Sequence, residues 1–547
     1  MLARSRNAPV LLLAAALVGA ATLTLVLTWE LTFLQDSWEF LMNRRDLSAD
    51  ALLVPHNEHL VVLPALIELM LLELFGMSSA LPEFIVLTVF LLVTASLLYV
   101  YVERRAGPWP ALFAAVAILF FGPAWEVLLW PFEITFVGPM LFGLAMLLAL
   151  EREDRRGDLA ACAFLIASLG FSGLGVPFVA AALVAIGQGR RETWLARSYV
   201  VAIPIVLFAV WYLGWGHEAE THASLHSVLE SPRLVADAIA APTGSLFGLG
   251  TNPLNSVIEV GWGRAILVAL IVVLGYRWVR DPVPLRGLWP VAAAAAAYWF
   301  LMAFNQIPGR EVTSSRYQYA GAIFLILIAA NFFVGVRPGR RTLLLLAAGT
   351  GLAVAPNLIV LKQGSESFEL QSVLTRADTG AIEIARRTVD PEFRLTPEVA
   401  GTPTLIDVSA GEYLEAVAEF GSPAYSLAEL ADAPDAGRRQ ADIVLSQALP
   451  LSTVTRAGGA ALAATGRCAV VPPGGPETVV RPGVSRIAVA AGPPAEFNLR
   501  RFATGEYPVA TKGAPGDSVT VLRVPRDAAP QPWHLQVLAK QPVRVCR

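Results

Sequence analysis

Lysine is nearly missing from this 547-residue chain, occurring only at Lys362, Lys512 and Lys540, so arginine carries almost all of the positive charge. Charge of either sign is scarce. Asp, Glu, Lys and Arg make up 16% of the residues against 55% hydrophobic, a balance that rules out an ordinary soluble domain and favours the membrane class. The formal net charge of −3 leaves no basic surplus, which argues against a nucleic-acid partner. Nor is a cleavable leader expected. The first apolar run, Val10 to Phe33, continues past the small residues Gly19-Ala20-Ala21 and reaches the roughly 20 residues needed to cross a bilayer, so it reads as a retained helix.

What the chain does contain is a series of apolar runs. Beyond the first, candidates lie at 83–102, 109–122, 134–150, 159–171, 174–187, 198–215, 264–279, 288–304, 316–335 and 342–361. The arginines between them alternate. Arg104/Arg105, Arg152/Arg155/Arg156, Arg190/Arg191/Arg197, Arg277/Arg280/Arg286 and Arg337/Arg340/Arg341 all fall on one side of an eleven-helix arrangement with a cytoplasmic N-terminus. That arrangement requires 159–187 to be a hairpin, for which "GFSGLG" supplies the turn. The expectation is a multi-pass plasma-membrane domain over 1–361, with outer loops at 34–82 and 216–262, and an extracytoplasmic domain over 362–547.

The tail is richer in proline, glycine and polar residues. "SRIAVAAG", "DSVTVLRVP" and "WHLQVLAKQPVRVC" alternate apolar and polar positions as strands of a small sandwich do. Ahead of them, "PTLIDVS" reads as a strand and "GEYLEAVAEF" as a helix, giving an α/β portion. Cys468 and Cys546 bracket the β-like segment, and an exported location permits a disulfide between them.

Chemistry concentrates in the outer loops. The first carries "LQDSWEFL", with Asp36 and Glu39 three apart, and then "LLVPHNEHLVVLP", which packs His56, Asn57, Glu58 and His59 between apolar residues. One reading is interfacial: Pro55 starts a helix that His56 or Asn57 caps. The other is a site in which His56, Glu58 and His59 act with Asp36, because ionisable groups near a membrane cavity are costly unless paired or used. A zinc site is a further option, although "HEAETH" lacks the interval of the HExxH signature. The helical pattern "LVVLPALIELMLLELFG" suggests a helix lying along the interface. Another outer loop, "GPAWEVLLWPFEIT", adds Glu126, Trp130 and Glu133. Before the tenth run, "NQIPGREVTSSRYQYAG" brings Arg310, Arg316 and Tyr317 to the same boundary. Arg316 there either snorkels or clamps a lipid phosphate with its guanidinium fork.

An Asp directly after the first helix, a helical first outer loop, many spans, a basic "RY" before a late helix and an exported C-terminal domain resemble the GT-C superfamily of membrane glycosyltransferases. Asp36 is followed by Ser37 where that family commonly carries a second acid, a departure from the pattern in which Glu39 would have to substitute. In a narrower stretch, over residues 30–190, "PHNEHLVVLP", "FGMSSALPEF" and "WEVLLWPFEITF" resemble polytopic membrane proteins of actinobacteria to which no activity is attached. The GT-C resemblance implies transfer of a sugar from a polyprenyl-phosphate donor to a cell-envelope glycan, lipid or protein. Asp36, Glu39 and Glu58 would be the catalytic carboxylates. His56, Asn57, His59, Glu133, Arg310, Arg316 and Tyr317 would bind substrate, with room for a divalent cation. The alternatives are a non-catalytic envelope scaffold or glycan-binding protein and, less in keeping with charge-poor helices, a transporter.

Overall fold

The computed structural model describes residues 7–219, 225–252, 257–280, 282, 285–304, 310–395, 408–449, 451–457, 468–475, 477–490, 492–511 and 514–546. The chain divides into two units. The first comprises Met1–Glu30, Arg44–Leu71 and Leu81–Ser367, and the second Leu31–Asn43, Leu72–Ala80 and Phe368–Arg547.

The first unit is helical, and each of the eleven apolar runs lies within or largely overlaps a helix. Among the described residues, five helices are long and apolar enough to cross a membrane: Ala8–Thr28, Leu81–Ala106, Pro131–Leu150, Gly261–Arg280 and Arg340–Ala385. The count rises to seven if Pro108–Leu119 with Gly122–Leu129, and Arg191–Arg197 with Tyr199–Gly214, are each one bent span. It stays below eleven because the remaining helices are short, as in Leu288–Phe304, or carry charge in their first turns, as in Arg155–Phe171. Local signals explain several boundaries. Leu81–Ala106 has Arg104 and Arg105 in its last turn, matching the helix dipole. Asp154 caps Arg155–Phe171 by accepting from the Gly157 N–H at 2.6 Å. The expected turn at "GFSGLG" is a true break: Ser172 is fully extended, its hydroxyl accepts from the Leu174 N–H, and a new helix starts at Val176.

The second unit differs from the expected tail in its limits. The run 342–361 is only the beginning of a 46-residue helix, Arg340–Ala385, and the division falls after Ser367 rather than after 361. Two pieces of the first outer loop also belong here. Trp38, wholly buried, sits edge-on between Phe33 and Tyr413 at 5.8 Å from each ring. Met77 donates its N–H to the Phe420 carbonyl at 2.7 Å. Gly76 has φ +68°, and a Cβ there would lie 2.5 Å from that carbonyl, so both conformation and contact demand glycine. Packing, which hydropathy does not report, decides where these pieces go.

"GEYLEAVAEF" forms the helix Ala410–Phe420, closed at its start by a Ser409/Glu412 capping box. Most of "PTLIDVS" lies outside the described residues. Besides the short pair β1 (Thr251–Asn252) and β2 (Val257–Ile258) of the first unit, nine strands are described: β3 Ser452–Ala457, β4 Cys468–Val471, β5 Thr478–Val480, β6 Gly483–Val489, β7 Glu496–Arg500, β8 Val509–Ala510, β9 Ser518–Val524, β10 Trp533–Leu538 and β11 Val543–Cys546. They form two antiparallel sheets of order β3-β9-β6-β11-β4 and β5-β10-β7-β8. Along β6 the alternation is visible residue by residue, with Ser485, Ile487 and Val489 buried and Val484 and Arg486 exposed.

Cys468 stands opposite Cys546 in the β4–β11 register, and the two are joined by a disulfide across a sequence separation of 78. Replacing both by serine is expected to lower the stability of this unit by about 2–4 kcal/mol, because the unfolded chain regains the freedom of a long loop. Melting of the full-length protein with and without reductant checks it. Identical transitions would mean that the bridge constrains nothing.

Candidate functional site

"PHNEH" neither starts nor caps a helix. The next helix begins later, at Val62, and the five residues form a tight turn instead. His56 N–H donates to the His59 carbonyl at 3.1 Å and His59 N–H returns the bond at 3.0 Å. Asn57 at the tip has φ +52°, a left-handed conformation that Asn tolerates better than most side chains. The turn is held from both sides. Arg44, 3% exposed, donates to the Ala51 carbonyl at 2.8 Å and the Val54 carbonyl at 3.0 Å, while Trp211 Nε1 donates to the Leu53 carbonyl at 2.8 Å. At Gly173 a Cβ would stand 2.6 Å from His59 Nδ1, so the break in "GFSGLG" leaves the room that the imidazole occupies.

The turn places three ionisable side chains. His56 is buried, its ring edge-on to Phe132 at 5.1 Å. Glu58 receives both hydrogen bonds of Arg310 Nη1, at 3.1 and 3.0 Å, and lies 3.6 Å from His59 Nε2. Burial opposes ionisation of Glu58, but His59, when it is protonated, and the Arg310 guanidinium outweigh it and hold the carboxyl below its ordinary range. Burial pushes His59 below the ordinary imidazole range, with Glu58 opposing and His56 and Arg310 assisting. At neutral pH the group is therefore an ionised Glu58 braced by a guanidinium and a neutral imidazole.

A second ion pair belongs to the same region. Glu126, on the short helix Trp125–Leu129, accepts from the Arg316 N–H at 3.0 Å and from Arg316 Nη2 at 3.2 Å, while its own N–H donates to Ser315 Oγ at 3.2 Å. A carboxylate at the start of the helix Ser315–Phe332 thus meets both the helix dipole and a guanidinium. Arg316 also lies 6.0 Å from the Trp130 ring, and its Nε is buried with no hydrogen-bond partner among the described residues. Tyr317 links the two pairs: Arg316, Arg310, Glu133 and Glu58 all act electrostatically on it. Its carbonyl accepts from Tyr298 Oη at 2.8 Å, and Glu133 is 1% exposed.

The structure therefore gathers His56, Asn57, Glu58, His59, Glu133, Arg310, Arg316 and Tyr317 into one region of the first unit. Asp36 and Glu39 lie in the first turn of the helix Asp36–Asn43, which belongs to the second unit. Cys468 and Cys546 bear on the fold of that unit alone. Sequence reading did not anticipate Gly173, Trp211, Phe132 or Tyr298 as supports. The only advance signal was the glycine-rich break itself. Among the described residues no group of three or more His, Cys, Asp or Glu is arranged to hold a metal ion.

A pH dependence follows from His59. Its folded pKa is depressed, so the unfolded chain takes up this proton first, and the stabilisation present above about pH 6.5 is lost as pH falls toward the folded value. The melting temperature of the full chain should drop between pH 7.5 and 5.5, and His59→Gln should flatten that part of the curve. A curve that H59Q leaves unaltered would remove His59 as the group responsible. Comparison with protein-family models and with curated proteins finds no match to this chain.

Proposed function

We propose that the chain is a membrane glycosyltransferase of the GT-C kind, moving a sugar from a polyprenyl-phosphate donor to a cell-envelope acceptor on the outer face. In this reading all eleven apolar helices span the plasma membrane, with the N-terminus cytoplasmic and the second unit exported. The observation that carries the proposal is an ionised carboxylate, Glu58, paired with Arg310, in the same region as a second guanidinium, Arg316, which is paired with Glu126 and keeps a buried N–H without a partner among the described residues. Transfer from a lipid phosphate needs a group that receives or orients the acceptor hydroxyl and cations that hold the departing phosphate. Glu58 serves the first purpose. Its depressed pKa makes it a weak base, so orientation and stabilisation of developing positive charge on the sugar are its larger share.

Arg316 and Arg310 serve the second. A guanidinium has five N–H donors, so a carboxylate partner leaves others able to reach phosphate oxygens. Tyr317 and His59 complete the wall. Asp36 and Glu39 remain candidates on their place after the first helix. Arg316→Ala should weaken binding of polyprenyl phosphate roughly tenfold or more, the worth of one charge-assisted contact. Unchanged binding would leave Arg316 an interface anchor braced by Glu126. A wild-type protein that transfers nothing from any lipid-linked sugar would favour the scaffold reading.

A further inference from the structure

A polar cavity lies in the first unit, lined by none of the candidate-site residues described above. Its volume is about 260 Å³, and it is lined by Tyr101, Arg105, Glu151, Glu153, Arg197 and Arg286, with an apolar wall that includes Leu147 and Pro290. The arginines that line it are among those that the charge alternation assigns to one side of the membrane. As topology signals they need only be exposed. Here two of the three are built in.

Arg105 is 3.5 Å from the centre of the Tyr101 ring, donates Nε to Asn331 Oδ1 at 3.0 Å, Nη1 to the Tyr101 carbonyl at 3.1 Å and Nη2 to Glu151 at 2.6 Å. Asn331, 3% exposed, is itself fixed by donating to Tyr101 Oη at 2.9 Å and the Leu327 carbonyl at 2.8 Å. Arg197 grips the buried Asp158 through Nε and Nη2 at 2.6–3.1 Å. Arg286 is different. It is largely exposed, and its ion-pair partner among the described residues is the equally exposed Glu153, at 3.4 Å. Beside it stands Gly287, where a Cβ would come 2.7 Å from Asn331 Oδ1 and 3.8 Å from Arg105 Nη2, so the missing side chain keeps the approach to Arg105 clear.

The charges do not cancel. Among the described residues that line the cavity, three are arginines and two, Glu151 and Glu153, are acids, and Glu151 is shared with Arg104 as well. A fixed, surplus positive charge beside an apolar wall suits an amphiphilic anion rather than a simple one. We propose that this cavity binds the phosphate of an anionic phospholipid headgroup, with Arg105 and Arg197 as the rigid walls and Arg286 leaving Glu153 to close on the phosphate. Glycerol and the upper acyl carbons would lie along Leu147 and Pro290. The inference shares the membrane setting with the transfer reaction but does not rest on it.

The test uses the full-length protein in phosphatidylcholine nanodiscs, titrated with phosphatidylglycerol and scored for retained lipid by native mass spectrometry. Wild type should retain phosphatidylglycerol in preference to phosphatidylcholine. Arg286→Gln, at an exposed position, should fold normally and retain it about tenfold less well. Arg191→Gln, an arginine outside the cavity, should match wild type. Equal losses in R286Q and R191Q would reduce the effect to general surface charge and overturn the proposal. So would sn-glycerol 3-phosphate displacing phosphatidylglycerol at equal concentration, which would make the site one for free phosphate esters. A transferase inactive in every assay would leave these outcomes unaltered.

Discussion

Glu58→Gln is expected to lower sugar transfer by about a hundredfold to ten-thousandfold, the usual cost of removing a catalytic carboxylate. Glutamine keeps the length and planarity of the side chain and removes its charge and basicity. Arg310 loses a charged partner, but both side chains are about one-fifth exposed, so water can solvate the guanidinium and the turn should stay folded. The backbone bonds between His56 and His59 do not involve the carboxylate at all. A loss of transfer with an unshifted melting temperature would therefore be chemical. Asp36→Asn is the necessary comparison, since Asp36 holds the position after the first helix that the GT-C resemblance favours. Transfer surviving E58Q and failing in D36N would move the catalytic role to Asp36. Survival in both would end the assignment of a carboxylate to this reaction.

The residues of the candidate site were legible because two kinds of signal coincide there. Polar side chains between apolar runs are costly in a membrane, so "PHNEH", "WPFE" and "GRE…SRY" stand out wherever they occur. Alternating arginines then assign these stretches to one side, and Glu58 with Arg310, 252 residues apart, do meet. What the sequence does not display is support. Arg44 looks like a loop arginine, yet it is buried and spent on two backbone carbonyls. Gly173 looks like a turn residue, yet its missing side chain also seats His59.

The division of the chain was less legible for a related reason. Hydropathy falls after residue 361, but the backbone hydrogen bonds of a helix are indifferent to that fall, and Arg340–Ala385 continues without interruption. Likewise, Leu31–Asn43 and Leu72–Ala80 read as parts of an outer loop, while their partners, Ser372 for Thr32 and Phe420 for Met77, lie hundreds of residues away. Such pairings carry no local periodicity.

The second unit offers a sharper test of what holds it together. Arg501 and Asp527 form a bidentate pair at 2.7 and 2.9 Å, with both side chains 1% exposed. Arg501 also donates to the Gln531 and Ala529 carbonyls at 2.9 Å and lies 5.6 Å from the Trp533 ring. One guanidinium thus ties the end of β7 to the segment that leads into β10. Next to it, Asp442 accepts the backbone N–H groups of Arg501, Phe502 and Ala503 at 2.8–3.0 Å, which fastens the helix Asp435–Ala448 to the same corner. Arg501→Met should destabilise this unit by about 3–5 kcal/mol, because Asp527 is left as a buried charge without its partner. Hydrogen exchange over 496–500 and 533–538 in the full-length protein should accelerate accordingly, while exchange over 81–106 stays as in wild type. Adding Asp527→Leu should recover only part of the loss. It removes the stranded charge, but the Gln531 and Ala529 carbonyls still lack their donor, at about 1–3 kcal/mol for each buried group left unsatisfied. Full recovery in the double variant would mean that the pair, and not the backbone contacts of Arg501, sets the stability of this corner. Unchanged exchange in R501M would show that the corner is held by Asp442 and apolar packing alone.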